Sequence, residues 1–184
     1  RGMVALNSWK TPDYRKFEVE ADMGAAGTFL ETIFPDDRQR GKILDWLTWT
    51  LRYEDQKPAW SLFLYSETKG SGKSTFCELA AALFGHENTA TLNGVEKITG
   101  RFNSTVVSSK LVVCEEVHLR PDSQQGNTLK THITEEEILV ERKGQEAERL
   151  PNCCAFIMTS NHLPLWIEQN DRRETAGKLA EIKE

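Results

Sequence analysis

The sequence predicts an α/β fold: a parallel sheet flanked by helices, organised around a phosphate-binding loop and preceded by a small helical segment. Three observations carry that expectation. The apolar run Ser61-Leu62-Phe63-Leu64-Tyr65 leads into Gly70-Ser71-Gly72-Lys73-Ser74-Thr75, and a helix-like stretch then runs to Phe84 and closes at Gly85. Two more short, fully apolar runs, Leu111–Cys114 and Ala155–Thr159, are separated by helical or irregular stretches, the pattern of strands buried on both faces of a parallel sheet. Before Ala59 the pattern is helical instead, so the expected division is an N-terminal helical segment over 1–58 and a P-loop core over 59–184.

In the first segment, Thr28–Phe34 forms a short apolar-periodic turn ended by Pro35. Asp36 or Asp37 can cap the next helix, where Ile43, Leu47 and Leu51 recur at helical spacing beside Leu44. Trp46, Trp49 and Tyr53 enlarge that face, which reads as a packing surface. A length of 184 residues suits one domain with a real core, and 39% hydrophobic with 28% charged residues is ordinary globular composition. No apolar run approaches the roughly 18 residues of a membrane span, and no signal-peptide pattern is present, which predicts a cytoplasmic protein without a membrane partner. The four cysteines show no metal-ligand spacing and sit among apolar neighbours, as buried reduced thiols do. A net charge of −5 gives no general attraction to nucleic acid, so any such contact must come from a local basic feature.

The glycine-rich turn carries the sharpest chemistry. Its glycines let backbone N–H groups face phosphates, and the following helix N-terminus adds partial positive charge. Lys69 to Thr75 would hold a nucleoside triphosphate, with Lys73 reaching the β- and γ-phosphates and the Ser74 hydroxyl on Mg²⁺. The full pattern wants a glycine where Glu67 stands.

Lys110-Leu111-Val112-Val113-Cys114-Glu115-Glu116 is an apolar strand ending in two acids, expected beside the phosphate-loop strand with its carboxylates at the ligand-binding edge. Glu115 is assigned mainly to the metal and Glu116 mainly to the attacking water, with the order open. The second acid favours an enzyme that activates water over a simple nucleotide kinase. Ala155–Asn161 repeats the pattern, and Asn161 can report on the γ-phosphate and the lytic water. Between these strands, Ile138–Leu150 reads as a β-hairpin whose tip carries Arg142 and Lys143, side chains that can touch nucleic-acid phosphates. Asp171-Arg172-Arg173 offers guanidinium groups for a transition-state phosphate. Pro121–Asn127 is expected to be a mobile loop, and Ala176–Glu184 a polar, weakly amphipathic helix.

The ordered set resembles the superfamily 3 helicases of viruses, phages and mobile elements, and more closely the helicase part of phage and plasmid primase-helicases. The resembling segments are Trp46-Leu47, Lys69–Ser74, Gly100–Asn103, Cys114–Glu116, Leu129-Lys130, Val140–Gly144, Ser160–Pro164 and Asp171–Arg173. The resemblance implies an AAA+ ATPase core using ATP and Mg²⁺, assembled as a homo-oligomeric ring, usually a hexamer, around single-stranded DNA. By position it makes Lys73 and Ser74 the phosphate and Mg²⁺ ligands, Glu115 and Glu116 the acidic pair, and Asn161 the first sensor. The Lys143 hairpin becomes the channel loop, Arg172 or Arg173 the finger acting on a neighbouring subunit, and a fused or coupled primase-polymerase the expected partner. Two departures are Glu67 in the loop and the polar Glu174–Lys178, where the family continues into a strand. Competing readings are another P-loop motor (loader, packaging or RNA-directed) and a replication initiator or assembly module that binds ATP without unwinding. A zinc module built from Cys153, Cys154, His118 and His162 lacks any recognised ligand spacing.

Overall fold

The computed structural model describes residues 9–16, 22–100, 104–141, 146–164, 166 and 180–181. After a 3₁₀ turn at Asp13–Lys16 come α1 (Gly24–Ile33) and α2 (Asp37–Arg52). The chain continues through β1 (Leu62–Tyr65), α3 (Lys73–Phe84), β2 (Thr89–Asn93) and two single-turn helices, α4 (Glu96–Thr99) and α5 (Ser104–Val107). Next are β3 (Leu111–Glu115), α6 (Gln124–Thr134), β4 (Glu137–Val140), β5 (Glu148–Pro151), β6 (Ala155–Ser160) and β7 (Ala180–Glu181). Local chemistry sets several of these boundaries. Asp36, in extended backbone, accepts a hydrogen bond from Gln39 N at 2.7 Å and so caps α2, which resolves the choice between Asp36 and Asp37. Ser123 caps α6 in the same way through Gly126 N at 3.1 Å.

The main sheet has the order β2-β3-β6-β1-β7, every pairing parallel. β4 and β5 form a separate antiparallel pair, with Val140 opposite Glu148. Strand alternation divides the core cleanly in two. Leu62, Leu64, Leu111, Val113, Ala155 and Ile157 share one cluster with α1, α2 and α3; Phe63, Tyr65, Val112, Cys114, Phe156 and Met158 share the other with α4, α5 and α6. Leu30, Ile33, Phe34, Ile43, Trp46 and Leu47 from the first two helices lie in the same cluster as Phe76, Ala80 and Phe84 of α3, so the boundary drawn at residue 58 falls within one apolar layer. The rings of Phe34 and Phe76 meet edge to face at 5.3 Å.

At the opposite edge of the sheet from the glycine-rich turn, two lysines hold chain ends. Lys110 donates to Tyr53 O at 3.0 Å and to Gln56 O, and Lys57 donates to Ile133 O at 2.7 Å and Thr134 O at 2.8 Å, at the C-terminus of α6. Burial lowers the pKa of both ammonium groups.

Three expectations are corrected. The acid strand β3 is not beside β1: β6 lies between them. Gln124–Asn127 are the first turn of α6 rather than part of a mobile loop, the Ser123 side chain capping the turn by accepting from the Gly126 N–H. Within the tail expected to be helical, Ala180–Glu181 form a strand paired with β1. The edge strand β2 was not expected from the sequence.

Candidate functional site

The carboxyl ends of β1, β6 and β3 bring the sequence motifs to one edge of the sheet. At the end of β1, Ser66 N donates to Ser160 O at 3.3 Å, and Ser66 Oγ accepts from Thr68 N at 3.2 Å to start the turn. The loop then takes left-handed backbone at Gly70 (φ 79°) and Gly72 (φ 92°) before α3 begins at Lys73. A Cβ on Gly72 would come within 2.8 Å of Ile33 Cγ2, so glycine is required there for space as well as conformation. Among the described residues the only non-glycine positions with positive φ are Glu116 and Asp122, so the backbone at Glu67 makes no demand for the missing glycine. Its carboxylate instead accepts from the Tyr65 hydroxyl at 2.8 Å.

Lys73 is the centre of the site. Its half-buried ammonium donates to Asn161 Oδ1 at 2.8 Å, Ser66 O at 3.1 Å, Ser71 Oγ at 3.2 Å and Thr68 O at 3.4 Å. An ammonium has three protons, so these four acceptors are shared among them. Burial lowers the Lys73 pKa. Lys69, Gly70, Ser71, Gly72, Lys73, Ser74, Thr75 and Asn161 line an open pocket of about 220 Å³ at the α3 N-terminus. The structure therefore joins two motifs that lie on either side of the acid strand in the sequence, the glycine-rich turn and Asn161.

Glu115 and Glu116 stand at the same sheet edge, across β6 from that pocket, and do not line it. Alternation along β3 puts Glu115 on the face of Leu111 and Val113, the one covered by α3. An electrostatic consequence agrees with this. Burial pushes the Cys77 thiol of α3 up to about 12, and the Glu115 carboxylate adds to the rise. Cys77 is one helical turn beyond Lys73 and Ser74, so Glu115 acts on the first turns of α3. Glu116 is exposed and sits at φ 56°, in the sparsely populated left-handed region. The next residue is fixed to the neighbouring strand by Val117 N donating to Thr159 O at 2.9 Å.

The arms of the expected hairpin are β4 and β5, whereas its tip residues Arg142 and Lys143 lie outside the described residues, as do Arg172, Arg173 and Arg101–Asn103. Sequence reasoning missed the support under the loop. Phe29 and Ile33 of α1, read only as a packing turn, back onto Gly72. Their apolar spacing marks an apolar face, and only the fold shows what it meets: Ile33 is buried in the core and Phe29 is partly buried against it.

A family model described as a family of unknown function, DUF5906, matches residues 64–173. The DNA primase-polymerase of Nitratiruptor phage NrS-1 is 27% identical over 145 residues, which make up 75% of this chain and 19% of that protein. The apo structure of the NrS-1 C-terminal region superposes with a TM-score of 0.78 at 25% identity, covering 90% of this chain and 40% of that one. An A-form apo structure of the same region gives 0.74 at 23% identity over 90% and 40% of the two chains. The chain thus spans less than half the length of the relatives it matches.

Proposed function

The chain belongs to the family of unknown function DUF5906, and from the phosphate loop within its matched residues we propose that it is a Mg²⁺-dependent ATPase, the helicase module of a phage-type DNA replication protein. The observation that carries this reading is the Lys73 ammonium. It sits at the N-terminus of α3, and its protons are met by oxygen acceptors from the loop and from Asn161, acceptors that phosphate oxygens can replace. The likeness to a phage primase-polymerase supports a place in replication beside a priming activity.

The donor set fits a triphosphate with its metal. Loop N–H groups and Lys73 hold the phosphates, and Ser74 with Glu115, on the α3 face of the sheet, holds Mg²⁺. Mg²⁺ bound with the nucleotide neutralises charge developing on the transferred phosphoryl group. Glu116 accepts the proton of the attacking water. Asn161 releases Lys73 to the phosphate and turns to the γ-phosphate and the water, so that β6 registers whether the phosphate is present. Arg172 or Arg173 of a neighbouring copy completes the site, which requires an assembly of copies, a ring and usually a hexamer by the resemblance. Arg142 and Lys143 then contact single-stranded DNA as the interfaces shift.

The test is ATP turnover by wild type and Lys73→Ala, with and without single-stranded DNA, alongside native mass and unwinding of forked DNA against RNA. Turnover stimulated by DNA, lost in a folded Lys73→Ala protein, is expected. Equal turnover in the two proteins would remove the nucleotide site, and a ring formed with ATP but without turnover would mark an assembly module.

A further inference from the structure

The sequence holds a possible zinc set of Cys153, Cys154, His118 and His162, and the fold splits it in two. The cysteines precede β6 and the second histidine follows it. Six residues of strand separate those ends by roughly 20 Å at about 3.3 Å per residue. The cysteines are engaged where they are: Cys153 Sγ donates to Asp55 O at 3.1 Å, and Cys154 Sγ to Val106 O at 2.9 Å. Burial raises the pKa of both thiols, that of Cys154 to about 12, which disfavours the thiolate a metal needs.

The histidines, by contrast, meet. His118 follows the acid pair at the end of β3, His162 follows Asn161 at the end of β6, and their ring centroids are 4.4 Å apart at an interplanar angle of 60°. Both side chains are exposed, and among the described residues neither imidazole makes a hydrogen bond, so their nitrogens are available. The backbone beneath them is fixed on both sides. Val117 N donates to Thr159 O at 2.9 Å, and His162 N donates to Ser160 Oγ at 3.0 Å. Two imidazoles on one zinc ion, at about 2.0–2.1 Å each, hold their ligand nitrogens roughly 3.4 Å apart. The 4.4 Å between ring centroids is of the same order as that spacing.

We propose that His118 and His162 form a two-histidine site for a borderline-soft divalent ion, Zn²⁺ or Ni²⁺, with water completing the shell. Imidazole selects such ions over Mg²⁺, so this site is chemically separate from one built of a hydroxyl, a carboxylate and phosphates. No group of three or more His, Cys, Asp or Glu side chains able to hold a metal occurs among the described residues, which is why water must supply the rest. An ion held there ties the segment after Glu116 to the segment after Asn161 across neighbouring strands.

The experiment is titration of the metal-free chain with Zn²⁺ and with Ni²⁺, read by calorimetry and by the shift in melting temperature. One ion per chain is expected, bound in the presence of excess Mg²⁺, with a rise in melting temperature. His118→Ala and His162→Ala should each lose both signals while melting as wild type does without metal. The controls His86→Ala and Cys153→Ser/Cys154→Ser should bind one ion. Stoichiometric binding that survives the His118→Ala/His162→Ala double substitution, or its absence from the wild type, overturns the site.

Discussion

Glu116 holds a conformation that its residue type disfavours, at the place where the proposed chemistry needs a carboxylate to accept a proton from water. A left-handed residue with a Cβ costs about 1–2 kcal/mol, and such strain collects where the surrounding structure fixes a functional group. Glu116→Gly should therefore unfold at higher denaturant, with a gain of up to about 1 kcal/mol after the added chain entropy of glycine, and lose ATP turnover. A variant that is less stable than wild type would show that the Glu116 side chain makes a stabilising contact. Gly72 presents the reverse case. Gly72→Ala meets both a positive φ and Ile33 Cγ2, and should cost about 2–4 kcal/mol by equilibrium unfolding. Adding Ile33→Ala removes the atom in the way, so the pair should cost less than the two single losses combined. Strict additivity would mean that α1 does not press on the loop.

At the scale of elements, what could be read from the sequence depended on whether a segment's neighbours are implied by its own pattern. β1, β3 and β6 announce themselves because strands buried on both faces are continuously apolar. β2 does not: Thr89-Ala90-Thr91-Leu92-Asn93 is, among the described residues, an edge strand bonded to β3 alone, with mixed burial and no continuous apolar run. The first turn of α6, Gln124–Asn127, reads as part of a loop because it is polar, and the Ser123 cap that makes such a turn stable also resembles turn chemistry. The placement of β6 between β1 and β3 is a long-range fact that no local spacing contains, yet it is what sets Asn161 against Lys73. Caps are the local signals that can be tested one at a time. Asp36→Ala should lower stability by about 1 kcal/mol, since it strands the Gln39 N–H. Asp37→Ala should cost less, because its partner Arg40 is reached in a pair whose Asp37 side chain is 90% exposed. Equal losses in chemical denaturation would contradict the assignment of the cap.

For the whole molecule, the question is whether the helices before residue 59 are an attachment or half of the core. One face of the sheet is covered by α1, α2 and α3 together, and the first two contribute Leu30, Ile33, Phe34, Ile43, Trp46 and Leu47, none more than 6% exposed. Burying each large apolar side chain is worth about 1.5–3 kcal/mol, so together they match the 5–15 kcal/mol by which a domain is stable at all. Trp46 also donates its indole N–H to Trp60 O at 3.0 Å, directly ahead of β1, and Phe34 seals the N-terminal turn of α3 through Phe76. A chain lacking residues 1–58 would strip the α1 and α2 cover from the sheet face that carries Leu62, Leu64, Val113 and Ile157, leaving α3 alone on it, and take away the backing of Gly72. It should therefore show no cooperative thermal transition and bind hydrophobic dye, and nucleotide should not rescue it, because the loop proposed to bind nucleotide is backed by the missing helix. A cooperative melt at a temperature near that of the full chain would instead make the helices an appended segment, and the loop geometry would then have to arise from β1 and α3 alone.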